Sequence, residues 1–300
     1  MMQMTRKRKR GRMLINGINP SRYDRSQNKF YAYLIPLAAL MLLPFVYMIG
    51  DAFKSLEERF AWPPLLWPHH PTLDNFRQLF AMSGTMHIPA TRYLLNSIVY
   101  TLIIVLLNLL LSVMAGYVLS KKSFRGKHTL FQVNTLALMF VSVTLAIPRF
   151  FVIRYTGLLD TFLIQILPLL AMPIGLFLVK QFIDQIPDAL LDAARIDGAN
   201  DYQILWRVVI PIVEPALATV AILSFRTAWS YLDASVVYVN NETLKTLAYF
   251  NNALFEETIG GLAGVSAQAA VGLIIFVPNV ILFIIMQSRV MNTMAHSGIK

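Results

Sequence analysis

The chain has 300 residues, no cysteine, 56% hydrophobic residues, only 14% charged ones and a mean hydropathy of +0.57. A soluble domain carries about 25% charged residues, so the composition argues against a soluble globular protein, and zero cysteines exclude disulfides and thiolate metal sites. The net charge of +10 suggests nucleic acid until it is located: nine Lys/Arg and one Asp lie in the first 29 residues.

That basic tail, with Arg6-Lys7-Arg8-Lys9-Arg10 at its centre, stands directly before an apolar block. In this position it holds the N-terminus inside and attracts anionic lipid, at about 1 kcal/mol per basic residue. The block that follows is too long, and too poor in small residues at its end, for a cleaved signal peptide. A helix needs about 20 apolar residues to cross the hydrocarbon. Blocks of that size cover about 30–50, 93–120, 128–148, 161–179, 208–232 and 262–288, the fifth carrying Glu214 and Arg226. The expected fold class is all-α integral membrane, with six transmembrane helices. The expected divisions are a tail over 1–29, a membrane domain over 30–288 and a C-terminal tail over 289–300.

Orientation follows from Lys and Arg in the short loops. With the N-terminus inside, the cytoplasmic segments hold 18 and the outer ones seven. Both termini are therefore expected in the cytoplasm. The first outer loop, 51–92, contains Trp62-Pro63-Pro64, Trp67-Pro68 and Pro71, a rigid stretch, and then Asp74 as a cap for a short helix. His69, His70 and His87 have no metal-ligand spacing, and no metal site is expected.

The segment 181–211, on the expected cytoplasmic side, reads QFIDQIPDALLDAARIDGANDYQILWRVVIP. Pro187 suits a first helical turn, Gly198 a left-handed helix end, and Asn200 with Gln203 a capping box. The segment thus specifies a helix over 188–196, a glycine turn and a second helix, with Pro211 at the membrane edge. Ala189, Ala193 and Ala194 permit close approach of another surface, and Asp188, Asp192 and Asp197 are acidic on a basic face. From the residues alone, partner docking and an amphipathic helix lying on the membrane are both open.

Inside the fifth span, Arg226 with Thr227, Trp229, Ser230 and Tyr231 makes a polar and aromatic stripe suited to sugars. Arg226 could instead pair with a carboxylate of a neighbouring subunit. Glu214 is twelve residues away, about 18 Å along a helix, and is not its direct partner. Asn96, Asn108, Asn134, Gln165, Gln268 and Asn279 also lie within spans. Most are expected to bond neighbouring helices, with one or two, Asn96 among the candidates, lining a path.

The loop resembles the signature of permease subunits of binding-protein-dependent ABC importers: EAA, three residues, G, nine residues, I-x-L-P. Here Asp192-Ala193-Ala194 is followed by Gly198, then Val208, Ile210 and Pro211 at the same spacing. DAARIDGA and LPLLAMPIGLFLVKQF are similar to the carbohydrate branch, the maltose-type second permease. PTLDNF, RYLLNSIVYT, GLLDT, PALATVAILSF and a Gram-positive-like MAHSGIK extend the resemblance over roughly 30–300. It implies six spans and a coupling-helix loop docking on a separate ATPase through Asp192, Ala193, Ala194 and Gly198, with Asp188, Arg195 and Asp197 as further docking candidates on the same loop. It also implies a second homologous permease, two ATP-binding subunits and an extracellular solute-binding lipoprotein. The chain itself would bind no cofactor, ATP and Mg being used by the partners. The departures are Asp192 for glutamate, Val208 and Ile210 for isoleucine and leucine, and Ser230 for the asparagine that often follows the tryptophan.

No G-x-x-x-x-G-K-[ST] string occurs, so an ATP-driven chain needs a separate motor. The expected function is import of sugars or oligosaccharides by alternating access. A polyol or glycerol phosphate importer is the near alternative. A secondary transporter is the distant one, but it would show repeated halves with broken helices. A membrane enzyme would need a catalytic constellation that the sequence does not contain.

Overall fold

The computed structural model describes residues 28–81, 88–140, 142–258 and 262–297. The basic run, His87 and the last three residues lie outside these, as do the side chains from Ser288 onward. In chain order the helices are α1 (Asn28–Phe53), α2 (Leu56–Arg59), α3 (Asp74–Ala81), α4 (Ala90–Lys121), α5 (Lys127–Ala137) and α6 (Ala146–Tyr155). Then follow α7 (Leu167–Leu170), α8 (Pro173–Asp184), α9 (Asp188–Ile196), α10 (Asp201–Ile204), α11 (Ile210–Trp229), α12 (Leu247–Thr258) and α13 (Leu262–Ser297). There is no strand among the described residues.

The chain divides into two units, residues 1–45 and 46–300. In the first, residues 28–45 are helical and exposed throughout, including Tyr33, Leu40 and Met41. A helix apolar on every side and unburied is one that lipid solvates.

In the second unit, the end of α1 is tied down by its own loop. Asn75 Nδ2 donates to the carbonyls of Ala52 at 2.9 Å and Lys54 at 3.0 Å, satisfying groups a helix terminus leaves open. Asp51 pairs with Lys54 at 3.5 Å and Arg59 at 3.2 Å, and Lys54 lies 4.2 Å over the Tyr47 ring.

Four helical stretches among the described residues are long and apolar enough to span a bilayer: Asn28–Phe53, Ala90–Lys121, Asp201–Val237 and Ala267–Gln287. A fifth is a bent pair, Phe162–Leu170 and Pro173–Asp184, meeting at 45°. The expected third span differs. Residues 128–148 do not form one helix: α5 stops at Ala137, a 3-10 turn covers Ser142–Leu145 and α6 starts at Ala146. Pro148 falls in the first turn of α6, where a missing N–H breaks no ladder bond, so it favours a new start over continuation. The expected fourth span runs on to Asp184, and the fifth begins at Asp201 with a π turn over Leu205–Val209. Pro211 explains that turn, because it cannot donate to the Arg207 carbonyl.

Packing centres on α4. Val113 and Tyr117 of α4 meet Val179 and Ile183 of α8 and Val213 and Val220 of α11. Gly175 allows the close approach: a Cβ there would meet Ser112 Oγ at 2.9 Å and Val220 Cγ1 at 3.3 Å. At the other end of α4, Tyr93 packs with Phe250 of α12 and Val271 of α13. Leu in place of Gly175 would wedge α8 away from α4 and α11. The expected cost is about 1–3 kcal/mol, seen as a lowered thermal transition of the detergent-solubilised protein. Gly272, inside α13, has open space around its Cβ, so Gly272→Ala would hold or raise that transition rather than lower it.

Candidate functional site

The loop between α8 and α11 takes the shape its residues specify. Pro187 precedes α9 as its N-cap, and α9 ends at Ile196. Gly198 adopts φ +85°, and the Ala199 N–H donates to the Ala194 carbonyl while Gly198 N–H donates to that of Arg195, both at 3.0 Å. These are the two bonds of a Schellman ending. Gln203 N–H then donates to Asn200 Oδ1 at 2.8 Å, and Asn200 N–H to Gln203 Oε1 at 2.9 Å. The capping box starts α10, which turns the chain back into the membrane.

The loop is clamped to the end of α4. Lys121 Nζ donates to the Ile186 carbonyl at 2.6 Å and pairs with Asp188 at 2.7 Å. Its hydrogen bond holds the Asp188 carboxyl below the usual carboxylate range. Such a clamp persists at neutral pH and is lost only as pH falls through that lowered titration. Lys122 pairs with Asp201, which also accepts from Tyr117 Oη at 3.3 Å. Leu191 is the anchor from α9, 2% exposed against the packed ends of α4, α8 and α11. Burying a leucine is worth about 1.5–3 kcal/mol.

Of the predicted docking residues, Asp188, Asp192, Ala193, Arg195, Asp197 and Gly198 are exposed on one loop, with Ala194 half-buried. Asp192 is engaged by Arg195 at 2.8 Å within the same helix, and Asp188 by Lys121. Asp197 has no ion pair among the described residues. Sequence reasoning missed Ile196, an isoleucine 86% exposed at the tip of a rigid loop. The missed signal was local: Ile196 stands between Arg195 and Asp197, off the apolar face that buries Leu191.

The predicted substrate stripe does not stay together. Trp229 is buried, stacked on Phe225 at 5.6 Å, and its Nε1 donates to the Ile275 carbonyl of α13 at 2.9 Å. Asn96 is also buried, donating to the carbonyls of Thr243 at 2.7 Å and Lys245 at 2.9 Å. Both side chains tie helices or loops together. Arg226 and Ser230 are exposed. Thr227 and Tyr231 of the group line a cavity of about 330 Å3, together with Asn108, Arg149, Ser224 and Asp233. Among the described residues, no group of three or more His, Asp or Glu could hold a metal.

Residues 109–289 match the family of binding-protein-dependent transport system inner membrane components. The chain belongs to that family. It is 32% identical to the trehalose transport system permease protein SugB of Mycobacterium tuberculosis, over 78% of this chain and 84% of that one. It is 30% identical to the sulfoquinovosyl glycerol transport system permease protein SmoH of Agrobacterium fabrum, over 86% and 89%. Its fold matches a bacterial ABC transporter involved in import of the acidic polysaccharide alginate. That match has a TM-score of 0.72 at 25% identity and covers 89% of this chain and 98% of that one. The permease is therefore a membrane component, and the clamped loop lies within the matched region.

Gly198 needs its positive φ but has nothing within 4 Å of a Cβ position, so backbone conformation alone limits substitution. Gly198→Val is expected to unlatch the end of α9 at about 1–2 kcal/mol, raising hydrogen exchange at Asp197–Ala199. Gly198→Asn, which tolerates this conformation, should preserve the protection.

Proposed function

We propose that the chain is one of two permease subunits of an ATP-driven, binding-protein-dependent importer of sugars or oligosaccharides. Its loop 188–203 docks on a separate ATP-binding subunit. Two such ATPases use ATP and Mg, a second homologous permease completes the path, and an extracellular solute-binding lipoprotein delivers the sugar. The chain sits in the cytoplasmic membrane with both termini inside, and the MAHSGIK tail favours a Gram-positive source.

One observation carries the docking reading. A loop held by two caps, a buried leucine and a Lys121–Asp188 pair presents Ile196, Leu190 and Ala193 to solvent. Displayed together on a fixed loop, these side chains offer a partner groove an apolar anchor. Support for sugar comes from relatives named for trehalose and sulfoquinovosyl glycerol transport and from a fold shared with an alginate importer.

Mechanically, ATP-driven closure of the motor pulls on α9. The pull passes through Lys121 and Lys122 into α4, which runs without interruption to the opposite face. Opening toward the loaded binding protein and return after hydrolysis then follow as alternating access.

The test is purification of the tagged chain from its own host. An ATP-binding subunit and a second permease should co-purify with wild type, and Ile196→Asp should lose the ATPase while retaining the permease. Ile196→Leu should keep both. A chain that purifies alone and transports without ATP in liposomes would overturn the proposal.

A further inference from the structure

A groove of about 420 Å3 opens where α4, α5 and α8 come together on the docking-loop side. Leu119, Phe124 and Phe131 make its apolar part, and Lys127, Thr129 and Lys180 are among its polar residues. Leu119 stands two residues before the end of α4, and Lys180 four before the end of α8. Both helices belong to stretches apolar enough to span a bilayer. At 1.5 Å per residue, the groove lies within about 3–6 Å of where those stretches end, the depth of lipid headgroups.

Its walls are fixed. The Phe131 ring stacks on Phe177 of α8 at 6.0 Å, Lys180 lies 4.3 Å over Phe131, and Lys127 Nζ donates to the Ser120 carbonyl at 2.9 Å. The Lys180 charge is met by Asp184 at 2.6 Å. The Lys127 charge is not, since no ion pair holds it among the described residues. Arg125, exposed on the turn before α5, has none there either. None of the described residues lining the groove is a carboxylate. Thr129 then begins a face of α5 that continues in Val133 and Leu136, four and seven residues on and 58% and 56% exposed. A basic seat with an apolar floor thus leads into an apolar track along a helix.

We propose that this groove seats the headgroup of one anionic phospholipid, with an acyl chain lying along Val133 and Leu136. A phosphodiester brings the negative charge that Lys127 and Arg125 lack, and the Thr129 hydroxyl donates to its oxygens. Phe124, 40% exposed, covers the glycerol and upper acyl carbons. A zwitterionic lipid carries its own cation into the same space and gains less. Basic pockets between membrane helices suit anionic headgroups. This one differs from the basic tail in holding a single molecule rather than attracting a diffuse layer. The site does not depend on which solute the transporter carries.

The test uses the full-length tagged chain, purified in mild detergent with the subunits that accompany it. A phosphatidylglycerol bearing a photoreactive diazirine near its glycerol is added at trace level, and crosslinked peptides are mapped by mass spectrometry. Crosslinks should concentrate within residues 119–136, and excess phosphatidylglycerol should compete them away while phosphatidylcholine should not. Thr129→Glu and Lys127→Gln should each lower that yield about fivefold, whereas Thr129→Gln should keep most of it. An acid in the first turn of α5 favours the helix, so Thr129→Glu decides the matter if Lys127→Gln, which also loses its Ser120 bond, fails to purify. Changing all five residues 6–10 to Gln should leave the yield unaltered. Crosslinks spread evenly over the spans, equal competition by both lipids, a yield untouched by Thr129→Glu, or a fivefold loss in the tail variant would each overturn the proposal. Loss of an accompanying subunit in Thr129→Glu, with lipid crosslinking unchanged, would assign the groove to that subunit instead.

Discussion

Polar groups at membrane depth must find partners inside the protein, and most of this architecture follows from how that demand is met. An unsatisfied group in hydrocarbon costs several kcal/mol, whereas a helix-to-helix side-chain bond returns about 0.6 kcal/mol on average. Such bonds therefore locate helices more than they drive association. Asn96 fixes the 243–245 turn against α4, Gln165 Nε2 reaches Ser235 Oγ at 2.9 Å, and Trp229 Nε1 ties α11 to α13. Against these satisfied groups, the buried Asn108 Oδ1 stands out as an acceptor without a partner.

The helix α4 connects the two ends of this arrangement. Its Ala90 end packs with α12 and α13, its middle borders the cavity, and its Lys121 end holds α9. Gly116 and Gly175 let α8 run close beside it, so the strut and its neighbour have little room to slide. In the proposed transporter, such stiffness lets a displacement at the loop be felt at the cavity, since packed interfaces switch between arrangements rather than deform gradually.

The loop was legible in the sequence because its signals are short-range. Pro187, Gly198 and the Asn200–Gln203 pair act over three or four residues, and the helix bounds 188–196 were met at both ends. Span interiors were less legible for the converse reason. Hydropathy reports that 128–148 is apolar without reporting that the helix breaks before Pro148. Nor does it report that α6 brings Arg149 to the cavity. Trp229 and Asn96 were read as path residues by chemical type, yet their partners, Ile275 and Thr243, are 46 and 147 residues away. Nothing local encodes such pairings.

In the proposed transporter, motor closure at the loop changes exposure of the cavity. The chain has no native cysteine, so Thr227→Cys places its single thiol in the cavity lining. In the assembled transporter, its reaction with a charged, membrane-impermeant thiol reagent applied from outside is timed without nucleotide and with ATP trapped. The reaction should be slow without nucleotide and fast with ATP trapped. Equal rates in the two states would contradict it.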